Sequence, residues 1–311
     1  MKKIDIISFI LLLIFIVSNI IGCSNNDYVI KVNDEKVSEN EFLIYLNEAK
    51  INFETLGGID IWKTDFEGLT AEEVAKNSAL NAVEVVKVSK QKARELNITL
   101  NDDELEKANK DAEEKYKLLK NLNNDITLNE VKLVITDQLL YNKLYNSVVS
   151  NFEISEVDFN SYYEDVYNEF YNNYKKYSVK SIFFNNYSDA EDFIEEYQLN
   201  SDFDLLFEKY INNVENSIKT VYKKDLEGFF GLTFDTNIGD ITSILSSDDG
   251  YYILKVENIL NPTEEEIREI TKKVYSTNKQ NQFFNEEYKK WYENIKIDKN
   301  DELLENIKIF E

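Results

Sequence analysis

"GYYILKVENI", residues 250–259, is β-rich and opens on a glycine, and it reads as a strand. "YSVKSIFF" (177–184) reads the same way. Between them lie two short helical segments, "SDAEDFIEEYQ" (188–198) and "SDFDLLFEKYI" (201–211). "EGFFG" (227–231) reads as a further strand, and "GDITSIL" (239–245) as a turn and short strand. The mixture makes residues 177–260 a small α+β unit, so the chain as a whole is α+β although most of it is helical.

Upstream the pattern is different. "YVIKVNDEKVSENEF" (28–42) reads as a strand, a turn at "NDEK", and a second short strand leading into a helix. Ser38 with Glu41 has the spacing of a capping box, and the helix runs to about Leu56, before Gly57-Gly58. Thr70 with Glu73, Asn101 with Glu104, Thr127 with Glu130 and Ser155 with Asp158 start four more helices. The second carries an apolar face of Val74, Leu80, Val83 and Val86. Five such helices bury their stripes only against one another, which predicts a helical domain over 28–176. Tyr162, Tyr163, Tyr167, Phe170, Tyr171 and Tyr174 crowd the last of them, as interhelix packing or as a sticky surface. Pro262, the only proline, opens a long C-terminal helix, and "KIDKNDELLENIKIF" closes the chain with a short strand first. Residues 261–311 are expected to pack on the N-terminal domain.

Composition removes several chemistries. There is no histidine and one cysteine, which excludes the common zinc sites, an intrachain disulfide and histidine-based catalysis. No metal or cofactor is expected. Asp and Glu number 59 against 35 Lys and Arg, a net charge of −24, which argues against nucleic acid as a partner. The charge confers solubility, or attracts basic unfolded polypeptides.

The first 22 residues read as a secretory signal: Lys2 and Lys3, then the apolar run Ile6 to Val17, then Gly22 before Cys23. "IIGC" (20–23) resembles a bacterial lipobox. That resemblance implies diacylation of Cys23 as the first mature residue, with 23–27 as a tether and the protein held on the extracytoplasmic face of the cell membrane. The alternative is an uncleaved apolar anchor.

The order of parts resembles the PrsA-like extracytoplasmic foldase lipoproteins and the related SurA chaperone. Val32, Asn33, Val37, Ser38, Glu41 and Phe42 follow that family's first segment, with Asp34 where it has glycine. The resemblance implies a mainly helical SurA-like chaperone domain, built from both ends of the chain, with a parvulin-like unit inserted at 177–260. "VKSIFF" (179–184), "KKDLEGFF" (223–230) and "GYYILKV" (250–256) are similar to parvulin segments, Asp225, Leu226, Gly228 and Phe230 being retained.

The departures fall where parvulin chemistry would sit. The two active-site histidines map to Ser181 and Tyr252, and a third polar position maps to Asn213. Leu226, Phe229 and Phe230 are the pocket candidates, but only eight residues separate Phe230 from Gly239, too few for the family's pocket helix. Ser181 and Tyr252 retain the capacity to hydrogen-bond to each other. The implied function is a membrane-anchored folding factor that holds unfolded or secreted polypeptides, its parvulin-like unit having low or no activity. Two alternatives stand beside it: an active peptidyl-prolyl isomerase, and an assembly lipoprotein with one specific partner. The aromatics also allow a homodimer.

Overall fold

The computed structural model describes residues 28–120, 125–210, 218–247 and 249–309. The expected signal peptide, Cys23 with its tether, and Asn213 lie outside the described residues.

The chain forms β1 (Ile30–Val32), β2 (Glu35–Val37), α1 (Glu39–Gly57), a short 3-10 turn, β3 (Asp65–Phe66), β4 (Leu69–Thr70), α2 (Ala71–Glu95), α3 (Asp102–Leu119), α4 (Leu128–Val149) and α5 (Glu156–Asn173). There follow β5 (Lys176–Phe184), α6 (Tyr187–Asn200), α7 (Phe203–Tyr210), β6 (Ile218–Tyr222), α8 (Lys223–Phe230), β7 (Leu245–Ser247) and β8 (Gly250–Leu260). α9 (Glu264–Tyr292), β9 (Ile297–Lys299) and α10 (Asp301–Asn306) complete it. The fold is mainly helical α+β.

Two compact units divide the chain. One runs up to Phe152 and takes in Gln282–Glu311; the other is Glu153–Asn281. The second is wider than the 177–260 pattern because α5 packs on the start of α9. Phe159, Tyr163, Ile267 and Tyr275 bury one another there.

In the first unit, α1, α2 and α4 enclose a core that includes Phe42, Leu46, Val83, Val86, Val131 and Val134. β9 joins the β1–β2 hairpin antiparallel on its open side, pairing Lys31 with Asp298. Ile307 is buried in the same core, so the last thirty residues complete this unit. Capping explains why the helices start where they do. Thr70–Glu73, Asn101–Glu104 and Thr127–Glu130 each satisfy two otherwise orphaned N–H groups reciprocally. Ser38–Glu41 does so only in part. Ser38 Oγ accepts from Glu41 N at 3.2 Å, but the Glu41 carboxylate turns inward to Lys87 Nζ, 2.5 Å away.

Lys87 also reaches Asp137 Oδ2 at 2.8 Å, and Lys90 shares that oxygen at 2.9 Å. Burial pushes the Glu41 carboxyl up. Burial alone would lower Lys87, but the charges of Glu41 and Asp137 outweigh it and hold the ammonium above its ordinary value.

In the second unit a four-stranded antiparallel sheet has the order β6-β5-β8-β7. The β5–β8 register pairs Ser181 with Leu254 and Phe183 with Tyr252. One sequence expectation changes here, and one element is added. "EGFFG" is the end of helix α8, where Leu226 and Phe230, four residues apart, pack with the sheet residues Leu254 and Val256. "IKTVY" forms β6, a strand made by its pairing with β5. The tyrosines of α5 are largely occupied within their own unit. Arg268 lies over Phe159 and Tyr163, Lys175 over Tyr171 and Lys224 over Tyr174.

Candidate functional site

Strand alternation sorts β5 and β8 into two faces. Ile182 and Phe184 on β5 and Ile253 on β8 point to the side covered by α6 and α7. Val179, Leu254, Val256 and Tyr252 point to the other, where Leu226 of α8 and Phe234 of the following loop cover part of the sheet. Phe234 is 2% exposed and meets Tyr177 edge-on at 5.3 Å. Its backbone N–H is fixed by Glu227 Oε1 at 2.9 Å, so the loop that follows α8 is drawn onto this face.

Past Phe234 the cover stops, and a set of rings remains. Tyr252 lies 5.0 Å from Phe183 and 5.6 Å from both Phe229 and Phe230, centroid to centroid. The rings meet at 54°, 83° and 69°. Phe183 is 41% and Phe229 53% exposed, a large apolar surface left to solvent.

Gly250 makes the placement of Phe183 possible. A Cβ there would come within 2.6 Å of the Phe183 ring and of the Phe184 carbonyl oxygen, and its φ of +149° suits glycine alone.

Ser181 and Tyr252 stand on this face as diagonal neighbours, since Ser181 opposes Leu254 and Tyr252 opposes Phe183. The hydrogen bond allowed for them is not the one formed. Tyr252 donates its hydroxyl to Asp249 Oδ2, three positions away in the chain, at 2.9 Å. Ser247 Oγ donates to the same aspartate. Burial, the hydrogen bond to Asp249 and the carboxylate's charge push the Tyr252 hydroxyl up to about 12. The bonds from Ser247 and Tyr252 hold Asp249 below the usual carboxylate range. At neutral pH the pair is therefore a neutral phenol beside a fixed negative charge.

The Tyr252 hydroxyl is thus committed to a carboxylate beside exposed apolar rings. Prolyl isomerisation requires no proton transfer, only relief of a resonance barrier of about 18–20 kcal/mol by gripping the twisted amide. Leu226 is inside the core instead of lining open surface. Of the pocket candidates, Phe229 is the one most open to a ligand.

Residues 3–125 match the family model of the SurA-like N-terminal domain. Across 97% of this chain and 98% of its own length, the foldase protein PrsA of Caldanaerobacter subterraneus subsp. tengcongensis is 24% identical. The N-terminal part of this chain is thus similar to the SurA-like N-terminal domain, and nearly the whole chain is similar to a PrsA foldase. Among solved structures, a SurA-like chaperone of Campylobacter jejuni is 15% identical, covering 88% of this chain and 99% of its own, with a TM-score of 0.39. The foldase PrsA of Streptococcus pneumoniae is 18% identical over 73% of this chain and 87% of its own, with a TM-score of 0.41.

Sequence reasoning missed Phe183, Asp249 and Phe234. Strand alternation places Phe183 on Tyr252's face and could have found it. Asp249 and Phe234 sit in irregular segments, where no periodicity marks the direction of a side chain.

Proposed function

We propose that this protein is an extracytoplasmic folding factor, anchored to the membrane by lipid on Cys23, that holds unfolded or secreted polypeptides. In this reading residues 28–176 and 261–311 form the chaperone domain, and the parvulin-like unit, 177–260, is a client-binding platform with low or no isomerase activity. The relatedness to a PrsA foldase over nearly the whole chain supports the folding role. The observation that carries the platform reading is the hydroxyl of Tyr252, committed to Asp249 at the rim of an exposed ring cluster. Among the described residues no helix is long and apolar enough to cross a membrane, so the anchor assignment rests on Cys23 and the signal before it.

The full chain is expected to suppress aggregation of several unrelated denatured proteins at stoichiometric amounts, read by light scattering. Protection of a single protein and indifference to the rest would favour an assembly role with one partner. Cys23→Ser should abolish partition into the detergent or membrane fraction; continued partition would mean an uncleaved anchor.

One observation favours a working isomerase as a second reading. The exposed rings of Phe183, Phe229 and Tyr252 offer an apolar surface on which a prolyl ring could rest.

A further inference from the structure

We infer that the ring cluster about Tyr252 is a seat for a cationic side chain, lysine or arginine, of an extended client polypeptide. The inference rests on the client-holding role proposed above and adds the chemistry of what is held.

Several rings of this unit are covered by the protein's own cations. On the opposite face of the same sheet, Lys180 lies 5.5 Å over Phe207 and Lys255 lies 5.7 Å over Phe203. Asp204 holds both ammonium groups there, at 2.5 Å and 2.8 Å. Carboxylate, cation and ring thus form a complete set. On the Tyr252 face two of the three parts are present. The rings of Phe183, Phe229, Phe230 and Tyr252 meet at steep angles, and Asp249 stands ionised on the Tyr252 hydroxyl. The cation is missing: among the described residues no lysine or arginine lies over any of these four rings. Lys219 acts on Asp249 through its charge, but the two form no ion pair among the described residues.

Charge complementarity selects the occupant. A chain of net charge −24 attracts basic polypeptides over long distances, and the rings then discriminate at contact. An ammonium or guanidinium over an aromatic face is worth about 0.5–1 kcal/mol at an exposed site, roughly two- to fivefold in affinity. A neighbouring carboxylate adds to that. A prolyl ring would use the same rings but draw nothing from Asp249.

The test uses the full chain and three labelled repeat peptides, Ala-Arg-Pro, its citrulline twin Ala-Cit-Pro, and Ala-Ala-Pro. Binding is read by fluorescence anisotropy at about 0.15 M salt, where long-range charge effects are screened. The arginine peptide should bind about fivefold or more tighter than the citrulline peptide, from the combined ring and carboxylate contributions. Phe229→Leu, which keeps the charge and much of the bulk at a site 53% exposed, should shrink that ratio. Phe183→Leu/Phe229→Leu should shrink it further, and Asp249→Asn should reduce it independently. An arginine preference that survives the leucine variants undiminished would overturn the proposal, because general charge would then explain it. Equal binding of Ala-Ala-Pro and the arginine peptide would overturn it too, making proline the occupant. Loss of the proposed holding activity is a separate failure, since light scattering on denatured proteins reads it without these peptides.

Discussion

The two faces of the second unit's sheet are built from the same two strands and finished differently. On one, α6 and α7 lay Phe193, Phe203 and Phe207 against Ile182, Phe184 and Ile253, and the rim is closed by the Asp204 ion pairs. On the other, α8 and its loop cover the sheet only as far as Leu226 and Phe234, leaving Phe183 and Phe229 to solvent. Both faces bury apolar surface and so gain free energy of folding. The open face exposes apolar surface that folding alone would have buried, and a binding role gives a reason for it.

Phe193→Ala should have the largest effect among changes that probe this contrast. The ring is 0% exposed and touches Phe184, Phe203 and Tyr210, so its loss should cost about 3–5 kcal/mol. Hydrogen exchange of the β5 and β8 amides would read it; a cost no larger than that of Phe183→Ala would erase the distinction between the faces. Next comes Gly250→Ala. Its left-handed-region backbone and the collision with Phe183 predict a loss of about 1–3 kcal/mol, with the Phe183 ring displaced in the aromatic NMR spectrum.

Alkaline titration probes the open face from another side. The Tyr252 hydroxyl is raised by burial and by Asp249, so in the folded state it stays protonated after the unfolded tyrosine has ionised. Its contribution to stability is therefore full below 10.0 and is lost as pH rises from there to about 12. Asp249→Asn should bring the absorbance transition of this tyrosine down toward its ordinary value; an unmoved transition would remove the carboxylate from the account. The smallest effect is expected from Asp204→Asn, well under 1 kcal/mol, because its ion pairs are solvent-exposed.

What the sequence disclosed follows from how local each determinant is. Thr70, Asn101 and Thr127 mark helix starts because the capping partner lies three residues away in every conformation that matters. Glu41 has the same spacing from Ser38, yet its carboxylate is claimed by Lys87, 46 positions further along the chain, and no local pattern foretells that. "EGFFG" looks like a strand because its aromatics favour β-structure. It is helical because Leu226 and Phe230 need one face toward the sheet, and Lys223 and Glu227 pair across one turn. Around the candidate site, the meeting of Tyr252 with Phe229 and Phe230 was legible from the parvulin-like segments. Asp249 was not, because a turn decides which hydroxyl it faces.

In the proposed role this face binds and does not catalyse. Refolding of a denatured protein limited by proline isomerisation, followed with the full chain present in excess, tests it most directly. The slow phase should keep its uncatalysed rate while aggregation falls. Acceleration of that phase well above the buffer control, lost again in Phe229→Ala, would contradict it and make the ring cluster an active site.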